Sequence, residues 1–195
     1  MKLGEVVDFL FPPQCGGCDT PGTGICERCL PCADADVAML TTLRVHALAR
    51  YEGGVRRAVL ALKSGRRDVA EGLGTRLAAL VGSGETLVPV PTTAGRRRGR
   101  GFDGCGLLAR TVAQRTGAAV LPHLAQIAGD RQRGRARDAR LLAQGRFAWR
   151  GTSLDGRSVV LLDDVVTTGA TLEDCACAIR AAGGRVDKAI VIARA

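Results

Sequence analysis

The stretch that decides the fold is VVLLDDVVTTGAT, which occupies residues 159–171. Its first four residues are apolar, a pattern that predicts a strand over residues 158–162 buried on both faces. Two aspartates follow, and then a turn of small and hydroxyl-bearing residues leads into a helix predicted over residues 171–182. Ligands of open α/β sheets bind at the carboxyl ends of the strands, so the segment is also a candidate binding site.

The turn offers the groups that bind a phosphate monoester. A helix N-terminus supplies free backbone N–H groups and the positive end of the helix dipole, and Gly169 lets the backbone approach a ligand closely. Asp163 and Asp164 alone would repel a phosphate, but carboxylates accept hydrogen bonds from vicinal ribose hydroxyls. A ribose 5-phosphate carries both groups. The alternative is ordinary helix capping, in which two acids and a threonine precede a helix.

Elsewhere in the chain, apolar runs of strand length alternate with runs of helical periodicity. Strands are predicted over residues 45–51, 87–90, 118–121 and 186–193, and helices over residues 55–63, 69–81 and 102–116. This alternation implies βαβ units, and therefore an α/β fold with a parallel sheet flanked by helices. The composition agrees, because a chain with 46% hydrophobic but only 3% aromatic residues builds its core from Ala, Val and Leu.

Two further segments have a distinct pattern. Helical spacing of apolar residues predicts a short amphipathic helix from Leu3 to Phe11. Residues 129–145 are rich in arginine and have no hydrophobic face, which predicts a mobile loop; a disordered charged linker is the alternative.

The formal net charge of +9 comes mostly from arginine. A basic surface attracts phosphates of nucleotides, pyrophosphate or nucleic acid, although a GC-rich genome would also favour arginine over lysine. No apolar run approaches the ~20 residues that span a membrane, and the N-terminus does not have the pattern of a secretory signal. We therefore expect a cytoplasmic protein. Eight cysteines in such a protein indicate metal binding or chance rather than disulfides.

Four of the cysteines have the spacing of a zinc site. Cys15 and Cys18 form one pair with two intervening residues, and Cys26 and Cys29 form another. Two such pairs complete a tetrahedral shell of four thiolates, which would hold together a segment that has no core of its own. Cys32 is a candidate replacement ligand. Free thiols or a redox-active pair are the alternatives.

Residues 159–171 resemble the signature that binds phosphoribosyl pyrophosphate (PRPP) in type I phosphoribosyltransferases. Further segments extend the resemblance to ComF-type proteins over nearly the whole chain: residues 8–13, Tyr51-Glu52-Gly53-Gly54, Leu62-Lys63, Val88-Pro89-Val90-Pro91, Arg100-Gly101-Phe102, Gln132, Arg140 and Phe147. Two positions depart from the family pattern. Asp103-Gly104 stands where Asn-Gln is common, and Ala143 stands where Asn is common, changes that bear on the acceptor rather than on the PRPP turn.

The resemblance implies a fold, a ligand and roles for individual residues. It implies a phosphoribosyltransferase-like domain over residues 41–195 and a zinc-ribbon-like module over residues 1–40. It makes Asp163, Asp164 and Arg140 the candidate catalytic residues, with Mg²⁺ accompanying PRPP. The candidate PRPP-binding residues are Val165, Thr167, Thr168, Gly169, Ala170, Thr171, Val90, Pro91, Thr92, Arg100 and Lys63.

Three of these assignments have ordinary alternatives. Lys63 is also explained as a cation at a helix C-terminus. The Val90–Thr92 segment is also explained as a strand end shaped by prolines, and Arg100 as part of a solvated basic patch.

The resemblance implies an enzyme that transfers phosphoribosyl from PRPP to an acceptor, with an association with competence for DNA uptake. The acceptor is not specified by the sequence. The alternative is a non-catalytic protein of DNA uptake that senses PRPP or associates with nucleic acid or the competence machinery. The scarcity of aromatic residues opposes that alternative, because single-stranded nucleic acid is bound by stacking on aromatic side chains. The sequence leaves an oligomer open.

Overall fold

A six-stranded sheet forms the centre of the computed structural model, which describes residues 12–31, 35–92, 103–127 and 146–195. The strands are β1 (Asp36–Met39), β2 (Arg44–Arg50), β3 (Thr86–Pro89), β4 (Ala119–Val120), β5 (Leu124–Gln126), β6 (Phe147–Trp149), β7 (Ser158–Val166) and β8 (Arg185–Arg194). The helices are α1 (Gly53–Lys63), α2 (Arg67–Leu77), α3 (Gly104–Thr116) and α4 (Ala170–Ala181), with a 3-10 turn at Ala78–Leu80. The order in the large sheet is β1-β2-β8-β7-β3-β4.

The predicted α/β class is confirmed, but the sheet is mixed rather than parallel throughout. Five strands, from β2 to β4 in the sheet order, run parallel to their neighbours. The edge strand β1 is antiparallel to β2. A tight turn joins these two, in which the Leu40 N–H donates to the Leu43 carbonyl at 2.8 Å. So short a connection can only join antiparallel strands.

Strand β7 lies in the middle of the sheet, as the apolar run predicts. Residues 159–162 are at most 5% exposed, which confirms burial on both faces. The strand does not end at Leu162, however. It continues through both aspartates to Val166, because β8 runs alongside it and pairs Asp163 with Val191 and Val165 with Ala193. The phosphate turn, residues 167–169, therefore begins only after the aspartates.

The helices cover the two faces of the sheet. Helices α1, α2 and α3 share one core with Val160 and Leu162, while α4 shares the other core with Leu161. The helix predicted over residues 171–182 is confirmed as α4, which buries Leu172, Cys175 and Ile179 on its apolar face. The predicted end of α3 is also confirmed: Gly117 has φ +73°, a conformation that glycine adopts at helix C-termini.

Three short strands have no counterpart in the sequence prediction: β1, β5 and β6. Strands β5 and β6 form a small antiparallel sheet in which Gln126 is paired with Phe147. Leu124 and Phe147 are each 5% exposed and belong to the same core as α4. The small sheet is thereby fixed to the α4 side of the large one.

Several predictions fall outside the described residues. They are the helix from Leu3 to Phe11, the arginine-rich loop at residues 129–145, and the candidate residues Cys32, Arg100 and Arg140. The division into units over residues 1–40 and 41–195 stays a prediction. Within the described ranges, no helix is long and apolar enough to cross a membrane.

Candidate functional site

A cavity of about 600 Å³ lies at the carboxyl ends of β3 and β7. Parallel neighbouring strands end at the same edge of the sheet, so side chains distant in sequence meet there. The cavity is lined by Tyr51, Lys63, Val90, Pro91, Thr92, Cys105, Gln126, Arg146, Phe147, Asp163, Asp164, Val165, Thr167, Thr171 and Ala195. The candidate residues Lys63, Val90, Pro91, Thr92, Asp163, Asp164, Val165, Thr167 and Thr171 are among them.

The phosphate turn forms a small recess of about 40 Å³ beside this cavity, and the recess also contains Thr168, Gly169 and Ala170. Gly169 precedes α4 with φ +79°, in the left-handed region that side chains disfavour. The Leu40 side chain occupies the space where a β-carbon on residue 169 would lie. The first N–H groups of a helix have no intrahelical partner, so the start of α4 can donate them to an anion in the recess.

Asp163 lines the cavity and has a strongly raised pKa. Burial raises its pKa to about 7, and the adjacent negative charge of Asp164 acts in the same direction. The Asp164 N–H donates to Asp163 Oδ1 at 2.8 Å, which favours the ionised form and partly offsets the rise. Near neutral pH the carboxyl therefore exchanges a proton readily, as expected for a group that a cation or a ribose hydroxyl can engage.

Lys63 and Asp164 form an ion pair across the cavity, with 3.2 Å between Nζ and Oδ2. Their side chains are 30% and 21% exposed, so the pair is only partly shielded from water. Lys63 is the last residue of α1, as the helix-terminus interpretation requires, and it also faces the cavity. The two interpretations of this lysine are therefore compatible.

Sequence reasoning assigned no site role to six of the lining residues: Tyr51, Cys105, Gln126, Arg146, Phe147 and Ala195. The Cys105 thiol lies 3.5 Å from Asp163 Oδ1. Burial and the charge of Asp163 raise the pKa of this thiol, so it stays protonated and can donate to the carboxylate. Gln126 and Arg146 come from the small sheet, whose strands of three residues are too short to show a period.

The cysteines at positions 15, 18, 26 and 29 form a cluster in which all four sulfurs lie within 4.8 Å of one another. The Sγ of Cys26 is 3.5 Å from that of Cys15 and 3.6 Å from that of Cys18. Sulfurs bound to one tetrahedral zinc at ~2.3 Å lie ~3.8 Å apart, so the cluster matches the size of a structural zinc site. The N–H groups of Gly17 and Cys26 both donate to Cys15 Sγ at 3.4 Å, as expected around a thiolate.

The cysteine cluster packs against α1 and α2 rather than against the cavity. Cys15 is buried in the same core as Val59 and Val69. Arg57 on α1 donates from Nε to the Gly17 carbonyl. None of the four cysteines, all within the described ranges, lines the cavity or the recess. The cluster is suited to a structural role.

The fold and the cavity together define an α/β protein with a polar cavity at the carboxyl ends of its strands and a separate four-cysteine cluster. No protein-family model matches the chain. The chain is similar to Competence protein ComFC of Bacillus subtilis (strain 168), with 31% identity over 86 residues. The match covers 44% of this chain and 34% of that protein, so it spans about a third of its relative's length. The similarity supports the resemblance to ComF-type proteins.

Proposed function

We propose that the protein binds PRPP in the 600 Å³ cavity and transfers its phosphoribosyl group to an acceptor. The observation that carries this proposal is the position of Asp163 and Asp164 near the end of β7, shortly before the phosphate turn and in one cavity with the Val90–Thr92 segment. A diol-binding pair, a phosphate-binding turn and a second backbone segment at the end of a strand match the three parts of PRPP.

Each part of the ligand has its own set of residues in this proposal. The 5-phosphate is bound by Thr167, Thr168, Gly169, Ala170 and Thr171, with Val165 beside the sugar. The ribose hydroxyls donate to Asp163 and Asp164. The pyrophosphate lies against Val90, Pro91 and Thr92, and the resemblance to ComF-type proteins adds Arg100 and Arg140.

Magnesium is expected to accompany the ligand, and the residues present fit it. Carboxylate oxygens are the protein ligands that Mg²⁺ prefers, and it usually keeps several waters and binds few side chains. Asp163 and Asp164 would hold it, directly or through water. When bound, Mg²⁺ would neutralise charge on the pyrophosphate.

The reaction requires no protein nucleophile. The bond between the anomeric carbon and pyrophosphate breaks with its electron pair leaving on the pyrophosphate oxygen, and a lone pair of the acceptor forms the new bond. The carboxylates orient the ribose, and the turn fixes the 5-phosphate. The carboxylates of Asp163 and Asp164 also stabilise the positive charge that develops on the sugar.

Titration calorimetry with PRPP and MgCl₂ tests the binding step. We expect the double variant Asp163→Asn, Asp164→Asn to lose PRPP binding. The matched control is Glu71→Gln with Asp187→Asn, which changes the net charge equally at two exposed positions outside the cavity. Binding retained by the first variant would contradict the proposal. Release of pyrophosphate from PRPP, measured over a panel of acceptors, tests transfer and identifies the acceptor.

The net charge of +9 and the competence-related name of the relative favour a second candidate function. In this candidate the chain senses PRPP without turnover and associates with nucleic acid or with the competence machinery. DNA binding that weakens steeply with salt and survives the Asp163→Asn, Asp164→Asn change would favour it. Pyrophosphate release would favour the enzyme.

We also propose that Cys15, Cys18, Cys26 and Cys29 bind a structural zinc ion within an N-terminal module of residues 1–40. The support is the close approach of the four sulfurs. Cys32 stays an alternative ligand. A closed shell of four thiolates leaves no open position for catalysis.

A further inference from the structure

Arg146 reaches the same cavity as the phosphate turn, although it comes from the small sheet. It precedes β6 directly, and its carbonyl accepts a hydrogen bond from the Ile127 N–H at 2.9 Å. The next pair in the register is Gln126 with Phe147, and Phe147 is 5% exposed. The backbone that carries Arg146 is therefore fixed by pairing and by core packing.

The Arg146 side chain forms an ion pair with Asp174 on α4. Its Nε donates to Asp174 Oδ2 at 2.6 Å. Asp174 stands three residues after Thr171 on α4, and residues at this spacing lie on the same face of a helix. Asp174 lies in the second turn of α4, one turn after Thr171, and Arg146 lines the cavity together with Thr171.

Arg146 also adds a second positive charge to the lining of the cavity, beside that of Lys63. Among the described lining residues, the cations are Lys63 and Arg146, and the anions are Asp163 and Asp164. Lys63 is already paired with Asp164. Within the part of the chain that the structure describes, Arg146 contacts Asp174 through Nε alone, so no described acceptor occupies the N–H groups of its two Nη atoms. A guanidinium binds a phosphate with two parallel hydrogen bonds, which a lysine cannot do.

We propose that Arg146 binds the phosphate monoester of the ligand through its Nη groups, and that Asp174 is a positioning residue for that guanidinium. The proposal rests on the proposed function, because it takes the residue 167–171 turn as the site of the monoester. The proposal assigns Arg146 to the phosphate monoester rather than to pyrophosphate. The reason is that the ion pair with Asp174 places the guanidinium on the α4 side of the cavity, near the turn.

Calorimetry with two separate probes tests this assignment, namely ribose 5-phosphate and inorganic pyrophosphate at constant ionic strength. We expect Arg146→Gln to weaken ribose 5-phosphate binding about tenfold and pyrophosphate binding less than about twofold. Arg146→Lys should restore only part of the loss, because it keeps the charge without the planar fork. The control is Arg150→Gln, an exposed arginine that does not line the cavity.

The positioning role of Asp174 requires a double-mutant cycle. Arg146→Gln should weaken ribose 5-phosphate binding about tenfold with Asp174 present, but less than about threefold in the Asp174→Asn background. A merely structural role of Asp174 predicts equal factors in both backgrounds, and that result would overturn the positioning assignment.

The two proposals fail in distinguishable ways. Wild-type affinity for ribose 5-phosphate in Arg146→Gln, or a loss confined to pyrophosphate, would overturn the role of Arg146 and leave PRPP binding intact. If the unsubstituted chain bound neither ribose 5-phosphate nor PRPP, the proposed function and the role of Arg146 would both be wrong.

Discussion

Lys63 and Asp164 connect the end of α1 to the end of β7, with 3.2 Å between Nζ and Oδ2. The contact places a positive charge beside two adjacent carboxylates that otherwise repel each other. It also joins the helix that packs on the cysteine cluster to the candidate PRPP cavity. The lysine therefore lowers the pKa of Asp163, against the larger rise that burial causes.

Replacement of Lys63 by Gln should raise the pKa of Asp163 but change the free energy of unfolding only slightly. The positive charge of Lys63 lowers the pKa of Asp163, so we expect that pKa to rise above its value of about 7 in the variant. The loss of folding free energy should stay below about 1 kcal/mol, because partly exposed ion pairs contribute little. Carbon-detected NMR titration of the Asp163 carboxyl measures the first quantity and urea unfolding measures the second.

The chain offers a matched control for that variant. Lys188 forms a similar ion pair with Glu85, at 3.0 Å and with 24% of its side chain exposed, outside the cavity. Lys188→Gln should leave the pKa of Asp163 unchanged. If both variants shifted the pKa of Asp163 equally, the effect would come from net charge rather than from the contact between Lys63 and Asp164.

The raised pKa of Asp163 predicts that the ligand-free chain loses stability as pH rises. The unfolded carboxyl titrates near 3.8 and the folded one near 7, so between these values the folded state binds more protons. The free energy of unfolding therefore decreases as pH rises through this window, and Asp163 causes no further change above it. The effect is at most a few kcal/mol, since one pKa unit corresponds to about 1.4 kcal/mol.

Asp163→Asn should remove this dependence. We expect the variant to gain stability relative to the unsubstituted chain between pH 4.5 and pH 8, as measured by urea unfolding without Mg²⁺. Asp187→Asn, at an exposed position, is the control and should show no such gain. If the free energy of unfolding of Asp163→Asn differed from that of the unsubstituted chain by the same amount at every pH in this range, the raised pKa of Asp163 would be contradicted.

Zinc removal should destabilise the chain, because the cysteine cluster shares its core with α1 and α2. We expect about one zinc per chain by atomic emission spectroscopy, and its loss together with a lower melting temperature in Cys15→Ser. Cys177→Ser changes an exposed cysteine outside the cluster and should keep the metal. Full metal content in Cys15→Ser would exclude Cys15 as a ligand.

The sequence predicted those parts of the structure whose signal is local. The apolar run of β7, the glycine at the end of α3 and the spacing of the four cysteines each depend on neighbours within one segment. The extension of β7 through Asp163 could not be found in this way, because it depends on pairing with β8. Strands β1, β5 and β6 were missed for the same reason.

In the candidate site, too, the sequence predicted the features that lie within one segment and missed the contacts between distant segments. The phosphate turn and its aspartates stand in one continuous segment and were therefore visible in the sequence. The contact between Cys105 and Asp163 joins residues 58 positions apart, and the contact between Arg146 and Asp174 joins residues 28 positions apart. Such pairs are formed by the topology of the sheet, and no short-range pattern encodes them.

Gly169→Ala should abolish binding of ribose 5-phosphate and lower stability. A side chain at residue 169 meets two obstacles, the backbone φ of +79° and the Leu40 side chain. The backbone strain alone costs roughly 1 kcal/mol or more, and the contact adds to it because the Leu40 side chain must shift. Gly84→Ala separates these effects, because Gly84 has φ +77° with open space around its β-carbon and lies outside the cavity and the recess. We expect Gly84→Ala to show the backbone cost in urea unfolding with normal affinity in calorimetry. Equal stability losses in the two variants, with ribose 5-phosphate binding retained in Gly169→Ala, would mean that the turn does not hold the phosphate.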